Sequence, residues 1–395
     1  MKWASAVSDE HSLDQAVDLC ASAIKAELGT DAPDLAIVFV SPHHAEQYDS
    51  LPDMIGQRLG AKHLIGCSAG GVIGAGREIE HRSGFSLTGA VLPDVELTSF
   101  HVENDDLPDL DAGPQAWENM VHTSARKYPQ FLLITDPFTI QSQNLLMGLD
   151  YAFSDSTTIG GMASGGPQQG SNVLILDSKA YRSGAVGLAF HGDIVIDPIV
   201  AQGCRPIGNS MRITQSDRNL LIKLDERPAL EVLRDLYESL DERDQGLAGH
   251  SLFLGMVMDE FNEDPQLGDF LIRNIVGMEP RIGALAVGEM LQEGQIVQFH
   301  LRDAQTSADD LAALLGRYNQ QMNVANVSGA LLFSCLGRGT YLYGRPDHDT
   351  ELFRSSIGDV PLGGFFCNGE IGPVGSTTYL HGYTSSFGIF RSKGK

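Results

Sequence analysis

Between Gly363 and Thr384 the chain reads GGFFCNGEIGPVGSTTYLHGYT, setting Cys367, Asn368, Glu370, His381, Tyr383 and Thr384 among six glycines. So much hydrogen-bonding capacity beside so many glycines suits a site that recognises a polar small molecule through donors and acceptors. Glu370 has the chemistry to hold an ammonium group or act as a base, and His381 to pair with a carboxylate. A buried His–Glu or Tyr–His bond that fixes the C-terminal turn would look the same, so the sequence leaves site and scaffold both open. One histidine and one glutamate are too few for a metal centre, and neither metal nor cofactor is expected.

Two glycine-rich segments follow short apolar strands, IGCSAGG (65–71) and IGGMASGG (159–166). Such clusters mark backbone at positive φ or something in close approach. A ligand is one such thing, which makes Cys67, Ser68, Gly70 and Gly71 candidate contacts; tight packing of repeated units is another. Neither segment matches GxGxxG or ends in the Lys-Ser/Thr of a phosphate loop. Cys67 reads either as a nucleophile activated by backbone amides or as a small packed hydrophobe, and no base stands beside it. Arg338, between Gly337 and Gly339, is the preferred anion contact, with Arg205 a second of its kind.

One order of elements recurs four times: amphipathic helix, hydrophobic strand, connecting segment, glycine-rich strand, then one or two more strands. In the first unit Leu13, Val17, Cys20, Ile24 and Leu28 recur at helical spacing before DLAIVFVS (34–41). The second runs from a helix near 114–127 through QFLLITD (130–136) to DIVIDPIV (193–200). The third opens with a helix from Pro228 to about Leu240, and the fourth with a helix N-capped by Ser307. The fourth ends one strand short. Helices alternating with strands, closed by back-to-back strands, predict an α/β (mixed α+β) architecture with mixed sheets. The units fall into two pseudo-repeated halves: 1–211, with units at about 10–104 and 113–208, and 212–395, with units at about 226–303 and 306–392. The boundary is placed in the polar stretch 212–227, and the acid-rich stretch 259–269 is read as an exposed loop.

Lys and Arg number 27 against 51 Asp and Glu, and the formal charge of −24 over 395 residues repels phosphate backbones and anionic membranes. Nucleic acid and membrane are not expected partners. The start lacks a basic region followed by an apolar one, so a cytoplasmic protein is expected. Five dispersed cysteines without CxxC spacing suggest neither a disulfide framework nor a zinc site.

IGCSAGG, IGGMASGG and SGAVGLAFHGDIVIDPIVAQGCRPIG (183–208) resemble the N-terminal FIST domain. GALLFSCLGRG, GGFFCNGEIGPVG and YLHGYTSSFGIF resemble the C-terminal FIST domain, GEIGP followed by LHGYT being the most specific element. The resemblance implies a stand-alone, intracellular signal-transduction input module that binds small ligands such as amino acids. It brings no catalytic residues to carry over. The first glycine turn has Gly71 and Val72 where some relatives carry an acidic residue. A pocket between the halves, lined by the glycine turns and 367–383, is expected, with a separate signalling protein downstream and homo-oligomers allowed. The alternatives are a protein–protein scaffold, or an enzyme using Cys67, Cys367 or a Glu370–His381 pair.

Overall fold

The computed structural model describes residues 1–394 apart from Asp31, Glu260, Phe261, Glu263 and Asp264. The expectation of an exposed loop at 259–269 falls in part on those four neighbouring positions, which lie outside the described residues. Helix makes up 29% of the chain and strand 40%, arranged in mixed sheets as the alternation of patterns predicts. Two compact units form: a larger one of residues 1–200, 312–380 and 384–395, and a smaller one of 201–311 and 381–383.

The larger unit contains three six-stranded sheets built to one plan. The first runs Lys2–Ser8, Phe85–Val91, Leu35–Val40, His63–Ser68, Leu174–Leu176, Lys179–Tyr181. The second runs Val95–Val102, Ala185–Gly192, Gln130–Thr135, Thr158–Met162, Glu370–Val374, Thr377–His381. The third runs Val195–Ala201, Ser385–Arg391, Val327–Cys335, Leu362–Cys367, Gly71–Gly74, Arg77–Glu80. Each central strand is parallel to the glycine strand after it. Leu35–Val40 and Gln130–Thr135 are buried at every residue, as continuous apolar runs require when both sheet faces are covered.

The hairpins circulate. That at 71–80 leaves the first sheet and pairs with Leu362–Cys367 of the third. That beginning at Glu370 pairs with Thr158–Met162 of the second, and 174–181 pairs with His63–Ser68 of the first. Edge strands follow the same circuit, because Val95–Val102 serves the second sheet and Val195–Ala201 the third. The remaining edge, for which the fourth unit has no strand, is taken by Lys2–Ser8 against Phe85–Val91. This N-terminal strand was not anticipated, since KWASAVS carries only a weak apolar alternation.

The glycine strands press against their parallel neighbours. A Cβ at Gly160 would lie 1.8 Å from the Leu133 carbonyl oxygen, and one at Gly364 1.9 Å from that of Leu332. Their φ values of 150° and 151° are also open chiefly to glycine. Helix Leu13–Leu28 covers the first sheet, with the Ser12 hydroxyl accepting from the Gln15 amide and Gly29 in the left-handed conformation at its end.

The smaller unit is a seven-stranded sheet that closes on itself through a pairing of Cys204–Asp217 with Leu220–Leu224. The polar stretch 212–227 is thus largely a hairpin, with Ile213, Leu221 and Leu224 turned into the core. Helix Ala229–Ser239 packs Val232 and Leu233 into the same cluster. One cap is corrected. The helix expected to start at Ser307 runs Ala304–Gln321, and Asp303 caps it, its carboxylate accepting from the Thr306 amide at 2.9 Å. Ser307 is buried within the helix and donates to the Gly203 carbonyl at 2.8 Å.

Candidate functional site

The ten residues singled out from sequence divide between the units. Cys67, Ser68, Gly70, Gly71, Arg338, Cys367, Asn368 and Glu370 belong to the larger unit, and His381 and Tyr383 to the smaller.

In the larger unit three turns interlock. The Ser164 hydroxyl accepts from the Gly70 amide at 2.9 Å and donates to the Phe366 carbonyl, while its amide donates to the Ser68 carbonyl at 3.2 Å. Asn368 reaches back, with Nδ2 donating to the Ala163 carbonyl at 3.1 Å and its amide to the Met162 carbonyl at 3.2 Å. The turns sit close enough to exclude side chains: a Cβ at Gly165 would fall 2.4 Å from that of Ser68, and one at Gly71 2.7 Å from the Phe366 ring. Burial pushes the Cys67 thiol well above its ordinary value, and burial together with the Glu370 carboxylate does the same to Cys367. Glu370 is fully buried, and its Oε2 accepts from the Thr384 hydroxyl at 2.8 Å and the Thr384 amide at 3.1 Å.

Arg338 lies in a second, adjoining cluster. It precedes the short helix Gly339–Tyr343 and has no exposed surface. Its Nε donates to Asp349 Oδ2 at 2.9 Å, and its Nη2 to Asp349 Oδ1 at 3.2 Å and to the Tyr343 hydroxyl at 2.6 Å. Asp349, on helix His348–Ile357, also accepts from the Ser385 hydroxyl at 3.0 Å and contacts His348 Nδ1 at 3.0 Å. Burial pushes the Asp349 carboxyl up, but the Arg338 charge and the His348 bond hold it net far below the usual carboxylate range.

Strand Arg77–Glu80 brings two more carboxylates. Glu80 Oε1 accepts from the Thr340 amide and hydroxyl, each at 2.9 Å. Glu78 is 4% exposed; its Oε1 accepts from the Thr350 amide at 3.0 Å. Burial, with the Asp349 charge second, raises Glu78 to about 8. It therefore carries its proton at neutral pH and can donate as well as accept.

Among the described residues, three buried atoms around this cluster have no hydrogen-bond partner: Arg338 Nη1, Glu78 Oε2 and Ser334 Oγ. Ser334 faces Ser385, a ligand of Asp349, across the sheet. Unanswered polar atoms are uncommon in folded interiors and expensive to leave so. Nearby, a cavity of about 250 Å³ is lined by Ser5, Ala75, Gly76, Thr350, Phe353 and Arg354, among others. Thr350 is common to both, since its amide holds Glu78 and its hydroxyl donates to the Gly76 carbonyl at 3.2 Å.

Sequence reasoning singled out Arg338 through its flanking glycines but missed Asp349, Glu78, Ser334 and Ser164. Ser164 lies in the glycine-rich segment 159–166 without having been singled out, and nothing local marks the other three; Glu78 and Asp349 are 271 positions apart in the chain. Arg205 is engaged by Asp303, 3.1 Å from its Nε, and by Asp244. Among the described residues no group of three or more His, Cys, Asp or Glu is placed to hold a metal ion, and no helix is long and apolar enough to cross a membrane.

Two family models match the chain, one described as FIST N domain over residues 34–227 and one as FIST C domain over 229–373. A Mycobacterium tuberculosis protein described only as uncharacterised is 33% identical over 390 residues, 99% of this chain and all of that protein. A Mycobacterium bovis protein, likewise uncharacterised, is 33% identical over 377 residues, 95% of each chain. An F-box/LRR-repeat protein of Arabidopsis thaliana is 27% identical over 140 residues, 32% of this chain and 26% of its own.

Proposed function

The chain belongs to the FIST family, whose domains are associated with signal transduction and sensing, and from that premise we propose that it is a sensor of a small polar molecule held at the Arg338 cluster. The observation that carries this reading is the set of three buried polar atoms without partners around Asp349. Arg338 and protonated Glu78 supply donors and Ser334 a hydroxyl, a combination that selects a ligand rich in acceptor atoms, such as the carboxylate end of an amino acid. The interlocked turns at Ser68, Ser164 and Asn368 form the rigid floor of the site. The cavity beside Thr350 is its approach, of a size for a ligand of a few heavy atoms. A partner protein reads the ligand-bound state. The two domains of this reading are 1–211 and 212–395, with a boundary near the family-model limits of 34–227 and 229–373.

A cysteine-dependent reaction is the weaker reading, because burial keeps the Cys67 and Cys367 thiols protonated. The test is thermal unfolding against a panel of amino acids and small polar metabolites. A ligand at 100 times its dissociation constant stabilises the native state by about 2.7 kcal/mol. A selective rise in midpoint that Glu78→Met, which removes the donor at similar volume, diminishes supports the proposal. A panel without response, or a response unchanged by that substitution, rejects it.

A further inference from the structure

Of the two buried arginines among the described residues, Arg338 is answered by the carboxylate of Asp349. Arg302, at the end of strand Ile296–Arg302 in the smaller unit, is not. It is 6% exposed, its Nε and Nη1 are buried without hydrogen-bond partners, and among the described residues no carboxylate lies within ion-pair distance.

What surrounds it is aromatic. The guanidinium lies 4.7 Å from the centroid of the Tyr383 ring and 5.9 Å from that of Phe253. Phe253 and Tyr383 are themselves 4.2 Å apart and pack with Phe270 and Ile272. The tyrosine is held in place by its hydroxyl on Asn274 Oδ1. Two residues back on the same strand, and so on the same face, His300 is 1% exposed. Its Nδ1 is bonded to the Gln298 carbonyl at 3.0 Å, and its Nε2 has no partner.

Aromatic faces attract the cation but leave its Nε and Nη1 donors unanswered in a site shielded from water, where an unpaired charge is most costly. His300 bears no negative charge and cannot neutralise it. The missing component is an anion. A flat carboxylate matches guanidinium geometry and can lie along the ring faces. A dianionic phosphate would meet a single arginine in a chain of net charge −24. We infer that Arg302, Tyr383 and Phe253 form a binding site for a small monocarboxylate, separate from the Arg338 cluster. Arg302 pairs with the carboxylate, the rings flank its carbon tail, and His300 Nε2 accepts a hydrogen bond if the ligand brings a donor.

Acetate is the probe. The full chain is titrated with sodium acetate at constant ionic strength, with chloride as the balancing ion and inorganic phosphate in a parallel series, and the unfolding midpoint is followed. The expected result is a saturable rise with acetate, absent with phosphate and lost in Arg302→Gln but kept in Glu78→Met. A wild type that does not respond to acetate, a response equal in Arg302→Gln, or saturation by phosphate instead each overturns the assignment. Should Arg302→Gln not fold, the wild type decides alone. An intermolecular NOE between the acetate methyl and the Tyr383 ring is expected, and its absence at saturating acetate overturns the site.

Discussion

Arg338 and Asp349 meet side-on, Nε to Oδ2 at 2.9 Å and Nη2 to Oδ1 at 3.2 Å, with neither side chain open to solvent. Removing one partner strands the other as a buried charge. Asp349→Ala is expected to destabilise the protein by about 3–5 kcal/mol, measured as a lower urea midpoint. Replacing both residues by apolar ones of similar volume should cost less than the single change. A double variant weaker than Asp349→Ala would show that the pair does not act as a unit.

Glu78 makes stability fall as the solution becomes alkaline. Its folded-state value of about 8 lies above the ordinary 4.5, so between those limits the native state keeps a proton that the unfolded chain has lost. The stabilisation is complete below about 4.5 and disappears as pH rises through about 8. Glu78→Gln, which cannot ionise, is expected to be more stable than the wild type at pH 9, the linkage limit for a rise from 4.5 to about 8 being about 5 kcal/mol. Parallel stability curves for the two proteins from pH 5 to 9 would refute this.

His300 has the opposite sign. Burial lowers it to about 4 from the ordinary 6.5, so the unfolded chain takes up a proton that the native state refuses. The contribution is present above about 6.5 and is lost as pH falls through about 4, by about 3 kcal/mol in all. Chemical denaturation at pH 7 and pH 4.5 of wild type and His300→Phe measures it, the variant losing less on acidification.

Alkylation should separate the cysteines. Cys335 is partly exposed, whereas Cys20, Cys67, Cys204 and Cys367 are buried. Burial raises Cys20 from 9.0 to about 12, an approximately 1,000-fold smaller thiolate fraction at neutral pH. Cys335 is expected to react first with iodoacetamide, as read by mass spectrometry of peptides. Early modification of Cys67 or Cys367 would restore the nucleophile reading.

Gly364→Ala should disrupt the third sheet. The new Cβ would fall 1.9 Å from a backbone oxygen at a φ of 151°, and strain of both kinds is expected to remove about 3 kcal/mol or more. Gly375→Ala, with open space around its Cβ position, is the control for a strained φ alone and should lose markedly less.

Much of this protein is local and could be read from the chain. Leu13 to Leu28 shows its helix in its apolar spacing and its end in Gly29. LAIVFV and QFLLIT show buried strands because a strand covered on both faces needs apolar residues throughout. The mixed architecture followed from the order of elements, and the FIST resemblance from the glycine-rich motifs themselves. Lys2–Ser8 was missed because an edge strand with few large apolar residues has little periodicity to display. Ser307 was mistaken for a cap because Asp303, three residues from the first amide it serves, performs that role first.

What residue types and spacing determined alone was which segments become helices and strands and the glycine positions where backbones touch; Arg338, read from its flanking glycines as a presented cation, is instead buried against Asp349. What tertiary structure decided was partnership. Hairpin 71–80 finds Leu362–Cys367, which places Glu78 beside Asp349, and segment 381–383 brings Tyr383 onto Arg302. Hydrophobic periodicity reports which face of an element is buried, but not which element buries it. That choice is made by strand edges and shape complementarity between parts of the chain hundreds of residues apart, and both candidate sites depend on it.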